Sequence, residues 1–245
     1  MKLYPDPLSD HPSQKYALGH ASHVDFGQRN ITPPFGVRYS KCLYDLKISP
    51  DILVPPSRWV GFPWEISDPI IDVSLSTYKK SDYSPDELLA LSLEHLQAYK
   101  TSTCIYTDGS KSEHGVGFAA TIPSVKDKIM KIHRKASIFT AELYAISAAI
   151  FIILTMPNIS DFVIISDSLS SLVALQCLHP KNVLVYNIRN HLHRLRNMGK
   201  KVSLLWVPGH VGIPGNENAD KLANTAVKFP ESSIVRRPVD DYILL

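Results

Sequence analysis

The chain has 245 residues, 44% of them hydrophobic, with a formal net charge of +3 and three cysteines, which provides for one domain with a sizeable core. Cys42, Cys104 and Cys177 are too scattered for a disulfide framework or a zinc knuckle. Met1-Lys-Leu-Tyr-Pro5 lacks an apolar signal segment, and the longest apolar stretch, around Ala148 to Leu154, is too short to span a bilayer; no membrane partner is expected, and an intracellular protein of cytoplasm or nucleus is the default.

Residues 1–98 differ in kind from the rest. Ten of the 18 prolines fall before residue 71, without a sustained helical or alternating period, which reads as an extended Pro-rich linker closed by a short lead-in helix over 85–99. Thr103 to Asp108, rich in β-branched and aromatic residues, then reads as a buried strand that stops at an Asp108-Gly109 turn. Runs at 115–122 and 126–135 form a meander. Leu143, Ile146, Ile150 and Ile153 mark the apolar stripe of a helix over 140–155, with Glu142 in its first turn. Phe162-Val-Ile-Ile-Ser166 suits a central parallel strand, followed by Asp167 and by Ser168 opening a helix. Helices at 168–178 and 183–197, a strand at 202–207 and a helix at 216–228 complete the pattern. In the last helix Ala219, Leu222, Ala223 and Ala226 make a stripe of small and apolar residues, flanked by Asp220. A meander followed by strand–helix alternation predicts an α/β domain over 99–229, built on a five-stranded mixed sheet flanked by helices. A C-terminal tail over 230–245 follows.

Four acids therefore stand in four unrelated local settings that aim at one point: Asp108, Glu142, Asp167 and Asp220. Each alone has a plain structural role as a turn Asp, a first-turn Glu favoured by the helix dipole, an Asp before a helix, and a solvated helix Asp. Together they demand a counter-charge, because two carboxylates about 4 Å apart repel by roughly 4 kcal/mol at an effective dielectric near 20. No Lys or Arg in those motifs is placed to supply it. An all-oxygen ligand set without Cys suits hard cations such as Mg²⁺ or Mn²⁺. Two such ions would clamp the attacking and leaving oxygens of an in-line displacement at phosphorus.

His210 lies between Gly209 and Gly212, where backbone freedom and an imidazole titrating near neutral pH suit proton transfer; a loop His without a role is the alternative. Between Asp167 and Glu217 no acidic residue occurs, whereas Lys181, Arg189, Arg194, Arg196, Lys200 and Lys201 supply six cations. That reads as a one-sided basic surface for phosphates, or as a solvated helix face. His191 and His193, two apart, do not share a helix face and make a poor metal pair.

Tyr106-Thr-Asp-Gly-Ser110, Thr140-Ala-Glu-Leu143, Ser166-Asp-Ser168 and the 18-residue run from Trp206 to Ala223 resemble, in order, the successive motifs of type 1 ribonuclease H. The close likeness is to the ribonuclease H domain of Jockey-like non-LTR retrotransposons of the arthropod type. It covers about 99–229, with a weaker likeness upstream to the linker that follows their reverse transcriptase. The resemblance implies a ribonuclease H-like fold and hydrolysis of the RNA strand of RNA–DNA hybrids during reverse transcription, with two Mg²⁺ ions for which Mn²⁺ can substitute. By the same resemblance Asp108 bridges both ions, Glu142 and Asp167 hold the ion on the leaving-group side, and Asp220 holds the ion that activates water. His210, in a mobile loop, assists proton transfer or product release.

The implied partners are an RNA–DNA hybrid and an upstream or separate reverse transcriptase, and the implied state is a monomer. Many cellular members carry Asn or Gln shortly before the helix Glu, whereas Ser137-Ile-Phe-Thr-Ala141 stands here, so hybrid placement is expected to lean on a linked partner. The alternatives are another nuclease or integrase of the same fold, and a catalytically degenerate domain that binds nucleic acid without cutting. The Trp206–Ala223 run with its single His speaks against the first, and the four intact acids against the second.

Overall fold

Periodicity and turn chemistry translate into a layered α/β arrangement in the computed structural model, which describes residues 66–230. The Pro-rich stretch before residue 66 and the tail from 231 lie outside the described residues. The elements run β1 (Ile70–Asp72), α1 (Pro85–Leu96), β2 (Thr103–Ser112), β3 (Gly115–Ile122), β4 (Lys126–Ile132), α2 (Ile138–Leu154), β5 (Asp161–Ser166), α3 (Leu169–Gln176), α4 (Val183–Asn197), β6 (Lys201–Trp206) and α5 (Pro214–Ala226). They form one six-stranded mixed sheet in the order β1-β6-β5-β2-β3-β4. β1, β6, β5 and β2 are parallel neighbours, and β3 and β4 continue antiparallel from β2.

The five expected strands all form, and a sixth, β1, comes from the segment read as linker. Its three residues pair with Ser203 to Leu205 of β6, too short a run to show an alternating pattern in the sequence. α1 is fixed locally by a capping box, in which Ser84 Oγ accepts from the Glu87 backbone N–H and the Glu87 carboxylate accepts from the Ser84 N–H, with Pro85 opening the helix.

Alternation along the strands sends side chains to two faces. On one, Ile105, Phe118, Phe162, Ile164 and Leu204 pack with Leu143, Ile146, Ile150 and Ile153 of α2 and with α3 and α4. α2 is apolar almost all round and is correspondingly buried. On the other, Val163, Ile165, Leu205 and Val207 pack with Leu75 and Leu88 from the segment before β2 and with Val211 and Ile213 from the loop before α5. Burial of each such side chain contributes roughly 1.5–3 kcal/mol, so Leu75 and Leu88 anchor the segment before β2 to the sheet. No helix among the described residues is long and apolar enough to cross a membrane.

Candidate active site

Register delivers the first two acids. The parallel pairing of β2 with β5 ends at Thr107 opposite Ser166, and Asp108 and Asp167 are the next residues on each strand. Asp108-Gly109 is not the turn the sequence suggested. Both residues stay in β2, paired with Ala119 and Phe118 of β3, and the strand runs on to Ser112. Gly109 is there for packing, since a Cβ at that position would lie 2.8 Å from the backbone N of Glu142 and 3.0 Å from Ala141. The missing side chain lets α2 settle on β2 and bring Glu142 to Asp108.

α2 begins at Ile138, behind a Ser137 cap whose hydroxyl accepts from the Thr140 N–H at 3.0 Å. Glu142 therefore lies in the second turn and is 7% exposed, inside the helix–sheet contact rather than on its rim. Ligand oxygens of Asp108, Glu142 and Asp167 come within 4.8 Å of one another. Asp220 falls into a second group, with His210 and Glu217, of the same dimension. Asp108, Glu142 and Asp167 thus form one group among the described residues, and Asp220 belongs to the other.

Electrostatics ties the two groups together. Burial first, then the charges of Asp167, Asp220 and Glu217, pushes the Asp108 carboxyl up to about 8. Burial and the charges of Asp108 and Asp167 hold Glu142 well above the usual carboxylate range, against the pull of the Gly109 N–H. Asp167 is raised by burial and pulled back by a hydrogen bond from Asn216 and by the charges of His210 and Lys80. Asp108 Oδ2 and Glu142 Oε2 are buried without a hydrogen-bond partner. Orphaned carboxylate oxygens in a crowd of like charge fit a hard cation, which would satisfy both deficits at once.

Several supporting residues escaped the sequence reading. Asn216 Nδ2 donates to Asp167 Oδ2 at 3.4 Å and Trp206 Nε1 to the Asp167 carbonyl at 3.0 Å. Gly209 is required beside them, because a Cβ there would lie 2.3 Å from Asp167 Oδ2. Asn224 donates to Asp220 Oδ1 at 2.9 Å and accepts from Ser110 Oγ at 2.6 Å, linking Asp220 to β2. Glu217 Oε1 accepts from the Gly212 N–H at 3.2 Å. Spacing held the signal for two of these, since Glu217 and Asn224 stand three before and four after Asp220 and share its helix face.

Asp220 is half-buried, and the exposed His210 sits in the loop between β6 and α5 with a φ of 57°. Of the six cations between Asp167 and Glu217, two are not on a basic surface. Arg189, 2% exposed, donates to the Leu175 carbonyl at 2.5 Å and to Asp68 at 2.9 Å. Lys200, 7% exposed, donates to the carbonyls of Met156 and Ile159. Lys201 pairs with Asp161 at 3.3 Å. Lys181, Arg194 and Arg196 are exposed. His193 accepts from the Ser67 N–H at Nδ1, and His191 lies against the Phe151 ring, so neither takes part in a metal cluster among the described residues.

A family model described as RNase H matches residues 100–228. Among solved structures, the RNase H1 of the halophilic archaeon Halobacterium salinarum NRC-1 is similar, at 23% identity over 51% of this chain and 96% of that one, with a TM-score of 0.40.

Proposed function

The chain belongs to the RNase H family, and on that premise we propose that it is an endonuclease hydrolysing the RNA strand of RNA–DNA hybrids with divalent cations, Mg²⁺ or Mn²⁺ in its place. The observation that carries this reading is the meeting of the buried Asp108 and Glu142 with the half-buried Asp167, two carboxylate oxygens being left without partners. Asp108, Glu142 and Asp167 would hold one cation, and Asp220, joined to Asp108 by field and to β2 through Asn224 and Ser110, would complete the set for a second. When bound, such cations supply Lewis-acid stabilisation of the charge that develops at phosphorus.

The protein's own groups do the rest. Asn216 and Trp206 orient Asp167, and Asn224 orients Asp220. His210, exposed and within reach of Glu217 and Asp220, would move a proton to or from the scissile phosphate. Lys181, Arg194 and Arg196 offer exposed charge to the backbone of the hybrid. The motif likeness to Jockey-like elements supports a role in retrotransposon reverse transcription, beside an upstream or separate reverse transcriptase, with the domain over 99–229 acting as a monomer.

The test is to offer the purified full chain one sequence as RNA–DNA hybrid, duplex DNA and duplex RNA in Mg²⁺. Cutting of the hybrid alone supports the reading. Binding of the hybrid without cutting would make this a catalytically degenerate nucleic-acid-binding domain.

A further inference from the structure

The segment ahead of β2 reaches the His210 loop, and we infer that Lys80 is a positioning residue that holds the Gly209–His210 peptide in place for the hydrolytic site proposed above, on which reading its catalytic consequence rests. Lys80 Nζ donates to the Gly209 carbonyl at 2.7 Å. That carbonyl belongs to the peptide joining Gly209 to His210, so the tether acts on the backbone immediately before the imidazole.

The loop needs holding. His210 adopts a left-handed φ of 57°, a conformation that is unfavourable for a residue bearing a Cβ and persists only where the surroundings enforce it. Enforcement comes from the same segment in two forms. Val211 and Ile213 are buried against a cluster that includes Leu75 and Leu88, and Leu89 Cδ2 lies 3.6 Å from where a Cβ on Gly212 would stand. This apolar floor fixes the loop from below. Lys80, exposed and borne on the turn in which the Asp82 N–H donates to the Lys79 carbonyl, adds a charge-assisted hydrogen bond at the edge nearest the acids. The ammonium therefore holds the loop at the peptide before the imidazole, and it comes from outside the stretch that the RNase H match covers.

The full chain with Lys80→Met, which keeps the stem and loses the donor, and with Lys80→Arg, which keeps charge and donors, tests this by two readouts. Amide hydrogen exchange over residues 207–213, measured without metal or hybrid, is expected to speed up about fivefold in Lys80→Met. On a hybrid in Mg²⁺, kcat is expected to fall by about the same factor with KM changed less than about twofold, and Lys80→Arg to restore both. Unchanged loop exchange in Lys80→Met overturns the inference. So does a raised KM with kcat intact, which would make Lys80 a phosphate contact instead. If the wild-type chain cuts no hybrid, the functional reading fails, while the exchange comparison still decides whether Lys80 holds the loop.

Discussion

Asp108 and Asp167 each follow the last parallel pair between β2 and β5, Thr107 and Ser166, so sheet register alone brings two carboxylates to one edge. Glu142 then arrives through the gap left by Gly109. The result is a buried concentration of like charge that a globular protein would avoid without a ligand to neutralise it.

That crowding has a measurable cost. Burial and the neighbouring charges of Asp167, Asp220 and Glu217 raise Asp108 from 3.8 to about 8, and burial with Asp108 and Asp167 raises Glu142. Between those values the folded state retains protons that the unfolded chain has released, so the metal-free fold loses stability as pH rises through that window. Thermal melts in chelator from about pH 4 to about pH 9 are expected to show Tm falling. Asp108→Asn should flatten the slope and gain roughly 1–3 kcal/mol at the alkaline end, and added Mg²⁺ should restore the wild type there. Parallel slopes for wild type and variant would contradict this electrostatic account.

His210 sits with Glu217 and Asp220 rather than among the buried acids. His210→Ala is expected to slow hybrid cleavage by about 10²-fold while leaving KM near its wild-type value. Single-turnover and steady-state rates together distinguish a slowed proton transfer from slowed release of product.

Asn224 bridges Asp220 to Ser110. Asn224→Ala is expected to reduce activity or metal affinity about tenfold, with a small change in stability because the side chain is exposed. A Mg²⁺ titration of the rate checks it, the expected sign being a higher requirement for metal.

Arg189 and Arg194 are separated by burial, not by charge. Arg189→Met strands the Leu175 carbonyl and is expected to lower the unfolding free energy by roughly 2–4 kcal/mol, read as a shift in urea midpoint. Arg194→Ala with Arg196→Ala should leave that midpoint in place and reduce the slope of log affinity against log salt by about 1–2 for a hybrid.

Long, strongly periodic elements were legible in the sequence. α2 and β5 announced themselves through the Leu143–Ile153 stripe and the Phe162–Ile165 run, and four acids with His210 stood out because their local patterns differ while their expected positions converge. β1 did not, because three residues carry no period, and the packing of Leu75 and Leu88 against the sheet was hidden behind the prolines upstream. Asp108-Gly109 looked like a turn because the dipeptide usually is one; packing of Glu142 against Gly109 overrode that local preference. Charge counting missed that Arg189 lies on the same α4 face as Val185, Ile188 and Leu192, all buried, a spacing that could have flagged it. The separation of Asp220 from the other three acids depends on where α5 sits against β2 and β3, which no local pattern encodes.

The central claim rests on Asp108, which meets the buried Glu142 and the half-buried Asp167 and feels the second group. The most direct measurement is cleavage of a strand-labelled RNA–DNA hybrid in Mg²⁺ by the full chain and by Asp108→Asn, with binding followed by fluorescence anisotropy. The expected result is RNA fragments from the wild type only, at least about a thousandfold above the variant, with hybrid binding still measurable in both. Cleavage by Asp108→Asn at the wild-type rate would contradict the account.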